Sequence, residues 1–372
     1  MLDSAIGDGV SRALSEVPRE HYAGGVSGSD RVPPTTPPGA VERDLVRAGI
    51  GPGMRVLEIG TGTGYTGAVL AVLVGPDGLV ASVDIAAGLV ERAAALHAER
   101  GVSNVVLRAA DGHLGIPEHG PYDAVVAWAS PLEIPAAWVR QCRAGAVICS
   151  PVYLAPVAGA VGHLHAAVDG GRLVEPRLAT ASYADMGTDV TGFDPDLPAH
   201  HVDARETLAG GRVAWISTAW RGQYPGHEPV AALRMLCDPR YTEPVPLAES
   251  GEGRVSAWQD FRSYCTGRDP SNLTSFGVSG VSVEGPGSGA AIGFSSGLNA
   301  AALTDAGELV ANGPDSPALT KVRDYFTEWD RSGRPGVDTL RPVLRPTSTG
   351  WQVRTTPTRL ARRRPASGGG ES

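Results

Sequence analysis

Residues 55–67 read RVLEIGTGTGYTG. Val56, Leu57 and Ile59 form a short apolar run that ends in the closely spaced glycines Gly60, Gly62 and Gly64, and a helix-like run, Ala68 to Val74, follows at once. The pattern predicts a strand, a tight turn and a helix. Glycine has no Cβ and tolerates positive φ, so such a turn brings backbone N–H groups close to a ligand at a helix N-terminus. A nucleotide-like cofactor is the first expectation.

Two classes of cofactor fit that spacing. Gly62, Gly64 and Gly67 match the dinucleotide fingerprint, whereas the frame from Gly60 is the G-x-G-x-G of S-adenosyl-L-methionine (SAM) enzymes. The acids help to separate them. Glu58 sits just before Gly60, where a carboxylate suits the cationic methionine end of SAM and sits badly beside a pyrophosphate. Asp84 closes the next apolar run, Leu79 to Val83, and can accept both ribose hydroxyls in either frame. Asp111-Gly112 closes a third run that begins at Val105, placing an acid where an adenine amine can donate. Three acids at successive strand ends favour SAM, and the dinucleotide reading stays as the alternative.

The 372 residues exceed one typical domain, so two are expected. A hydrophobic fraction of 42% with 19% charged residues is that of a globular protein, and no apolar run approaches the ~20 residues of a membrane span. The net charge of −8 disfavours a phosphate-backbone partner, so nucleic acid is not expected. Cys142, Cys149, Cys237 and Cys265 form no C-x-x-C pair and lie in apolar surroundings, which reads as buried thiols in a reducing cytoplasm. The first residues, MLDSAIGDGVSRAL, lack a basic segment before an apolar core, so no secretory signal is read there.

In chain order, Asp8 to Glu20 has apolar positions at Val10, Leu14 and Val17, suited to one helix before Pro18. Gly24 to Gly39 contains PPTTPPG and reads as a loop, either a linker or a cover over the cofactor with the Thr35 and Thr36 hydroxyls toward a substrate. From Val56 to Val152 strands and helices alternate, including Gly88 to Arg100 as a helix with Leu89, Ala93 and Leu96 inward. Alternation of this kind implies a parallel sheet wrapped by helices, with ligands beyond the strands' carboxyl ends. Past Val152 the pattern becomes α+β. Gly162 to Val174 reads as a hairpin with a DGG turn, Arg212 to Trp220 as a strand and Val255 to Cys265 as a helix. Ser316-Pro317 opens a helix whose Leu319, Val322, Tyr325, Phe326 and Trp329 share one face. The basic TRLARRRP near the C-terminus reads as part of a tail.

Histidines offer no metal site by spacing. His163 and His165 point the same way on a predicted strand, and His200-His201 lie in a loop, but no carboxylate or cysteine stands at ligand distance in sequence, so no metal is expected. No G-x-S-x-G elbow is present. His113, beside Asp111-Gly112, is the histidine placed at the cofactor edge.

Several of these stretches together resemble the protein-L-isoaspartate O-methyltransferases in order and spacing. They are VPREHY (Val17 to Tyr22), VLEIGTGTGYTGAVLA (Val56 to Ala71), DGHLG (Asp111 to Gly115), PYDAVV (Pro121 to Val126) and IPAAWVRQCRAGAVICSPV (Ile134 to Val152). The resemblance implies a Rossmann-like SAM-dependent methyltransferase fold, SAM as methyl donor and a carboxylate as acceptor. It also implies a cofactor site of Glu58, Gly60, Thr61, Gly62, Gly64, Asp84, Ile85, Asp111 and Gly112. Where the family carries a serine in a T-I-S-x-P stretch this chain has PPTTPPG, so Thr35 or Thr36 stands in for that hydroxyl as the catalytic candidate.

The length beyond the methyltransferase region resembles actinobacterial variants that methylate an aspartate in a ribosomally made peptide, which then closes to an aspartimide. The expected fold is therefore α/β, a doubly wound, mostly parallel sheet over residues 1–155, followed by a smaller α+β domain over 156–354 and a disordered tail over 355–372. The expected partner is the peptide or protein that bears the target aspartate, without nucleic acid or membrane. Repair of isoaspartyl residues is the alternative function.

Overall fold

The computed structural model describes residues 2–23, 36–181, 183–187, 197–198, 200–223, 228–247, 252–278 and 289–356. Three helices lead in, α1 (Leu2–Glu16), α2 (Arg19–Ala23) and α3 (Pro38–Ala48). Strands and helices then alternate as expected: β1 (Arg55–Ile59), α4 (Tyr65–Val74), β2 (Leu79–Asp84), α5 (Ala87–Glu99), β3 (Val105–Ala109) and β4 (Tyr122–Ala127). Two short strands, β5 (Ala129–Ser130) and β6 (Ile134–Pro135), precede α6 (Ala136–Arg140), and β7 (Cys142–Tyr153), β8 (Val161–Asp169) and β9 (Arg172–Thr180) follow.

These strands make a seven-stranded sheet in the order β3-β2-β1-β4-β7-β8-β9, parallel through β7 and antiparallel in β8 and β9. The sheet therefore runs past the boundary expected at residue 155. The reason lies in two short connections: the loop 154–160 lets β8 return antiparallel onto β7 from Val161 to Ala167, and the DGG turn then folds β9 back onto β8.

Side-chain alternation along the strands divides the core in two. Val56, Val80, Ala124 and Val126 face α1, α3 and α4, while Leu57, Ile59, Val83 and Val125 face Trp138 and Val139 of α6. The N-terminal helix buries Val10, Ala13 and Val17, with Leu14 only half-buried. On α5 the buried residues are Val90, Ala93 and His97, one step round from the expected Leu89, Ala93 and Leu96.

After β10 (Ala184–Asp185) comes a second sheet, built from β11 (Ala204–Thr207), β12 (Val213–Thr218), β13 (Tyr241–Pro244), β14 (Leu273–Val278), β15 (Ala290–Ser295), β16 (Ala300–Thr304) and β17 (Glu308–Ala311). It is antiparallel, in the order β11-β12-β14-β15-β16-β17-β13. One face is covered by α7 (Pro229–Cys237), the other by α8 (Glu252–Arg268) and α9 (Pro317–Arg331). In α9 Leu319, Val322, Phe326 and Trp329 are buried, as the spacing predicts. Ser316 does occupy the N-cap position, yet it makes no capping hydrogen bond and its Oγ is buried without a partner.

The chain then returns. β18 (Arg341–Pro346) and β19 (Gly350–Thr356) form a hairpin whose Trp351 pairs with Ile134 of β6, and Val337, Leu340 and Val353 complete the α6-side core of the first sheet. Thr355 and Thr356, expected in the tail, belong to β19, and residues 357–372 lie outside the described residues. The four cysteines are unpaired. No helix among the described residues is long and apolar enough to cross a membrane.

Candidate functional site

The glycine loop joins β1 to α4 at the carboxyl edge of the parallel strands. Gly60, Gly62 and Gly64 have φ of 93°, 52° and 87°, a region closed to most side chains. The three are not equivalent. A Cβ on Gly64 would lie 2.9 Å from the Ala93 Cβ, so that glycine lets α4 and α5 meet, whereas a Cβ on Gly62 would meet nothing within 4 Å. The space over Gly62 is open. Its amide donates to Asp84 Oδ2 at 2.9 Å, and Asp84 Oδ1 accepts the Ala86 amide at 3.0 Å, so the carboxylate organises both loops and keeps a lone pair on each oxygen. Thr61 is buried, with its Oγ1 2.7 Å from Ser82 Oγ, and Ile85 is half-buried beside Asp84.

Asp111 lies at the end of β3 with 36% of its side chain exposed. Its Oδ1 accepts the His113 amide at 2.9 Å and stands 2.7 Å from His113 Nδ1, so one oxygen caps a short helical turn and Oδ2 is left to the surface. Gly112 is needed for packing: a Cβ there would lie 2.8 Å from Met186 Cε and 3.0 Å from Ile59 Cγ2. Its carbonyl accepts from Trp138 Nε1 at 2.8 Å.

Glu58 is placed differently from the reading that aimed it at a ligand. It has the same strand parity as Val56, so its side chain enters the layer between the sheet and α4 and is fully buried. There Oε1 accepts from Thr66 Oγ1 at 2.6 Å and from Trp128 Nε1 at 2.9 Å. Burial pushes the carboxyl up to about 7, and the nearby Asp84 charge acts in the same direction. The acid thus fixes Trp128, whose Cβ is 3.6 Å from the Cβ position of Gly60.

Trp128 begins a buried polar and aromatic group that sequence spacing did not single out. Its ring lies 6.4 Å from that of Tyr183, which stands 5.7 Å from His163. The Tyr183 hydroxyl donates to Asp44 of α3, a fully buried carboxylate paired with Arg47 at 3.0 Å. His163 Nε2 is 3.5 Å from Asp44 Oδ2, but burial pushes this imidazole down to about 4, so it is neutral near pH 7. His165 shares the strand face and is half-buried. Asp185 and Met186, next to Tyr183, lie along Ser130 at the end of β5. Thr36 is half-buried just before α3, and Thr35 lies outside the described residues. The signal that could have exposed this group is the acid at Asp44, whose i+4 position relative to Ala40 puts it on the apolar stripe of Val41, Leu45 and Ala48.

Residues 39–159 match the family described as Protein-L-isoaspartate(D-aspartate) O-methyltransferase. The Protein-L-isoaspartate O-methyltransferase of Thermotoga maritima is 30% identical over 164 residues, which cover 40% of this chain and 52% of that protein. Its counterpart in Erwinia tasmaniensis is 46% identical over 101 residues, covering 27% of this chain and 47% of the relative. The chain spans about half the length of the curated relatives it matches. A solved structure titled protein-L-isoaspartate O-methyltransferase aligns over 91% of this chain and 92% of its own at 18% identity and a TM-score of 0.47. Over residues 39–159 the chain is similar to the protein-L-isoaspartate(D-aspartate) O-methyltransferase family.

Proposed function

We propose that the chain is a SAM-dependent carboxyl O-methyltransferase acting on a peptide or protein. The observation that carries this reading is the loop of Gly60, Gly62 and Gly64, held open at positive φ with free space over Gly62 beside Asp84. The residues present fit SAM: Asp84 and Asp111 each keep acceptor capacity for hydroxyl and amine donors. When bound, SAM supplies an activated methyl group on a sulfonium.

The chain's own work is alignment and exclusion of water. An aspartyl side chain has a reference pKa of ~3.9 and the free α-carboxyl of an isoaspartyl residue lies at roughly 3.3–3.7, so either is already ionised at pH 7 and no general base is required. The Thr36 hydroxyl, with Thr35, is suited to orient the acceptor carboxylate by hydrogen bonds. Trp128 and Met186 close the edge against water, which strengthens every polar contact inside.

The family match supports isoaspartyl carboxylates as acceptors. A second reading, methylation of an aspartate in a ribosomally made peptide followed by aspartimide closure, draws support from the second sheet and its helices, which give recognition surface beyond the reacting group. We assign that region to substrate binding. Incubation with methyl-labelled SAM and either an isoaspartyl peptide or its aspartyl counterpart tests both readings. Base-labile methyl ester on the isoaspartyl peptide alone supports the first; ester on a peptide encoded beside the gene, with none on the generic isoaspartyl peptide, supports the second. Labelled ester on neither overturns the proposal.

A further inference from the structure

Two buried polar atoms beside the glycine loop have no protein partner, Glu58 Oε2 and His97 Nε2. Both converge on Gly67. The Cβ position of that glycine is 3.0 Å from Glu58 Oε2 and 3.5 Å from His97 Nε2, so the two atoms cannot be further apart than the sum of those distances. They make no direct hydrogen bond or ion pair. A single ordered water is able to satisfy two buried polar atoms that converge in this way, and glycine at 67 keeps a side chain out of the space beside them. On its other side His97 Nδ1 is 3.2 Å from the Tyr22 hydroxyl, and Arg92 of α5 donates to the Tyr22 carbonyl at 2.7 Å.

We propose that Tyr22, His97, a water buried beside Gly67, and Glu58 form one hydrogen-bonded relay whose direction reverses when Glu58 gains or loses a proton, making His97 a positioning residue for Glu58 and through it for Trp128. With Glu58 ionised, the Tyr22 hydroxyl donates to His97 Nδ1, His97 Nε2–H donates to the water, and the water donates to Glu58 Oε2. With Glu58 protonated, its O–H donates to the water, the water donates to His97 Nε2, and Nδ1–H donates to the Tyr22 oxygen. Each link of the relay has one donor and one acceptor in both states, and in the second the Tyr22 O–H turns away from the ring. The relay is a property of the chain itself and stands whether or not the chain binds a methyl donor.

The surroundings allow the reversal near neutrality. Burial pushes His97 down to about 4, so the ring is neutral, carries one N–H and must choose a tautomer. Glu58 is pushed up to about 7, by burial first and by Asp84 of β2 in addition, while Thr66, Ser82 and Trp128 oppose the rise. Around His97 the charged or titratable neighbours are Tyr22 and, beyond it, His21, Tyr65, Arg92 and Arg100. Arg100 favours an ionised Tyr22, but burial outweighs it and raises that hydroxyl, which keeps its proton.

The test is nitrogen NMR on the full chain with labelled histidine, with the His97 signals assigned by their loss in His97→Gln. The expected result is Nδ1–H at about pH 6 and Nε2–H at about pH 8, with the change centred where Glu58 titrates. Glu58→Gln should abolish the change and leave a single tautomer at every pH. One tautomer throughout in the unsubstituted protein, or a change that persists in Glu58→Gln, overturns the relay. If Glu58→Gln fails to fold, the unsubstituted protein alone still decides, because an isolated structural histidine has no reason to switch.

Discussion

Gly62 in the first sheet's loop and Gly293 in the middle of the second sheet are both indispensable, for opposite reasons. A Cβ on Gly62 meets open space, whereas one on Gly293 would run into the Ala301 carbonyl and lie 2.6 Å from Ala302 Cα. The first glycine is required by its dihedrals, and its open side is where the proposed cofactor would lie. The second is kept so that β15 and β16 can pair. Open space over a positive-φ glycine is shared by turns such as those at Gly49 and Gly101, so it is the Asp84 carboxylate beside it that sets Gly62 apart.

Substitution breaks this comparison most sharply at Gly293. Gly293→Ala forces two backbones apart in a central strand, an overpacking that backbone cannot relieve by rotamer change. We expect a loss of roughly 3 kcal/mol or more, a large part of a typical stability of ~5–15 kcal/mol, read by urea unfolding. Gly62→Val should do the reverse. Its φ of 52° strains a β-branched residue by about 1–2 kcal/mol, yet SAM binding should fall below calorimetric detection while the fold survives. Retained SAM affinity in Gly62→Val would remove the loop from the site.

A cut after residue 156, which the expected domain boundary suggests as a way to isolate the methyltransferase region, is not a clean experiment. It removes β8 and β9 from the first sheet and Val337, Leu340 and Val353 from its core. Such a fragment is expected to be insoluble, and centrifugation of the expressed fragment checks this. The role of the second sheet is better tested by point substitutions in the full chain.

The legible parts of the molecule were those written in local pattern. The alternation Val56 to Ile59 followed by three glycines fixed β1, the loop and α4, and the acids close their strands as the runs predicted, Asp84 half-buried at the end of β2 and Asp111 just beyond β3. Glu58 was misplaced because its distance from Gly60 was read without strand parity, which sends it to the α4 side. His97 went unseen because a histidine between apolar helix positions carries no charge signature in sequence. Tyr183 and His163 meet Asp44 across more than a hundred residues, a contact that no spacing encodes.

The buried acid gives the next effect. Glu58 has a folded value of about 7 against an ordinary 4.5, so its contribution to stability is fully present below the unfolded value and is lost as pH rises through the folded one. His97 runs the other way, from an ordinary 6.5 down to about 4, and its contribution is lost as pH falls. The two slopes oppose between those limits. In Glu58→Gln the first slope disappears, so stability relative to the unsubstituted protein should climb by up to about 3 kcal/mol from pH 4.5 to 7.5, measured by urea unfolding at each pH. A constant offset across that range would contradict the burial argument.

The smallest effects belong to the two surface acids, and they should differ from one another. Asp84→Ala removes the acceptor of the Gly62 and Ala86 amides as well as any ligand hydroxyl, so about 1.5–3 kcal/mol of SAM affinity, roughly ten- to a hundredfold, should go. Asp111 spends only Oδ1 on its own turn, receiving the His113 amide there. In Asp111→Asn a carbonyl oxygen can keep that cap, while the other position becomes a donor facing the ligand. The turn should therefore survive with an unchanged melting temperature, and the loss should be confined to one ligand contact, at most about tenfold in affinity. Calorimetric titration of SAM into both variants orders them. If Asp111→Asn costs as much as Asp84→Ala, the Asp111 carboxylate takes part in holding the ligand more than its free oxygen accounts for, and the division between a loop-organising acid and a ligand-facing acid fails.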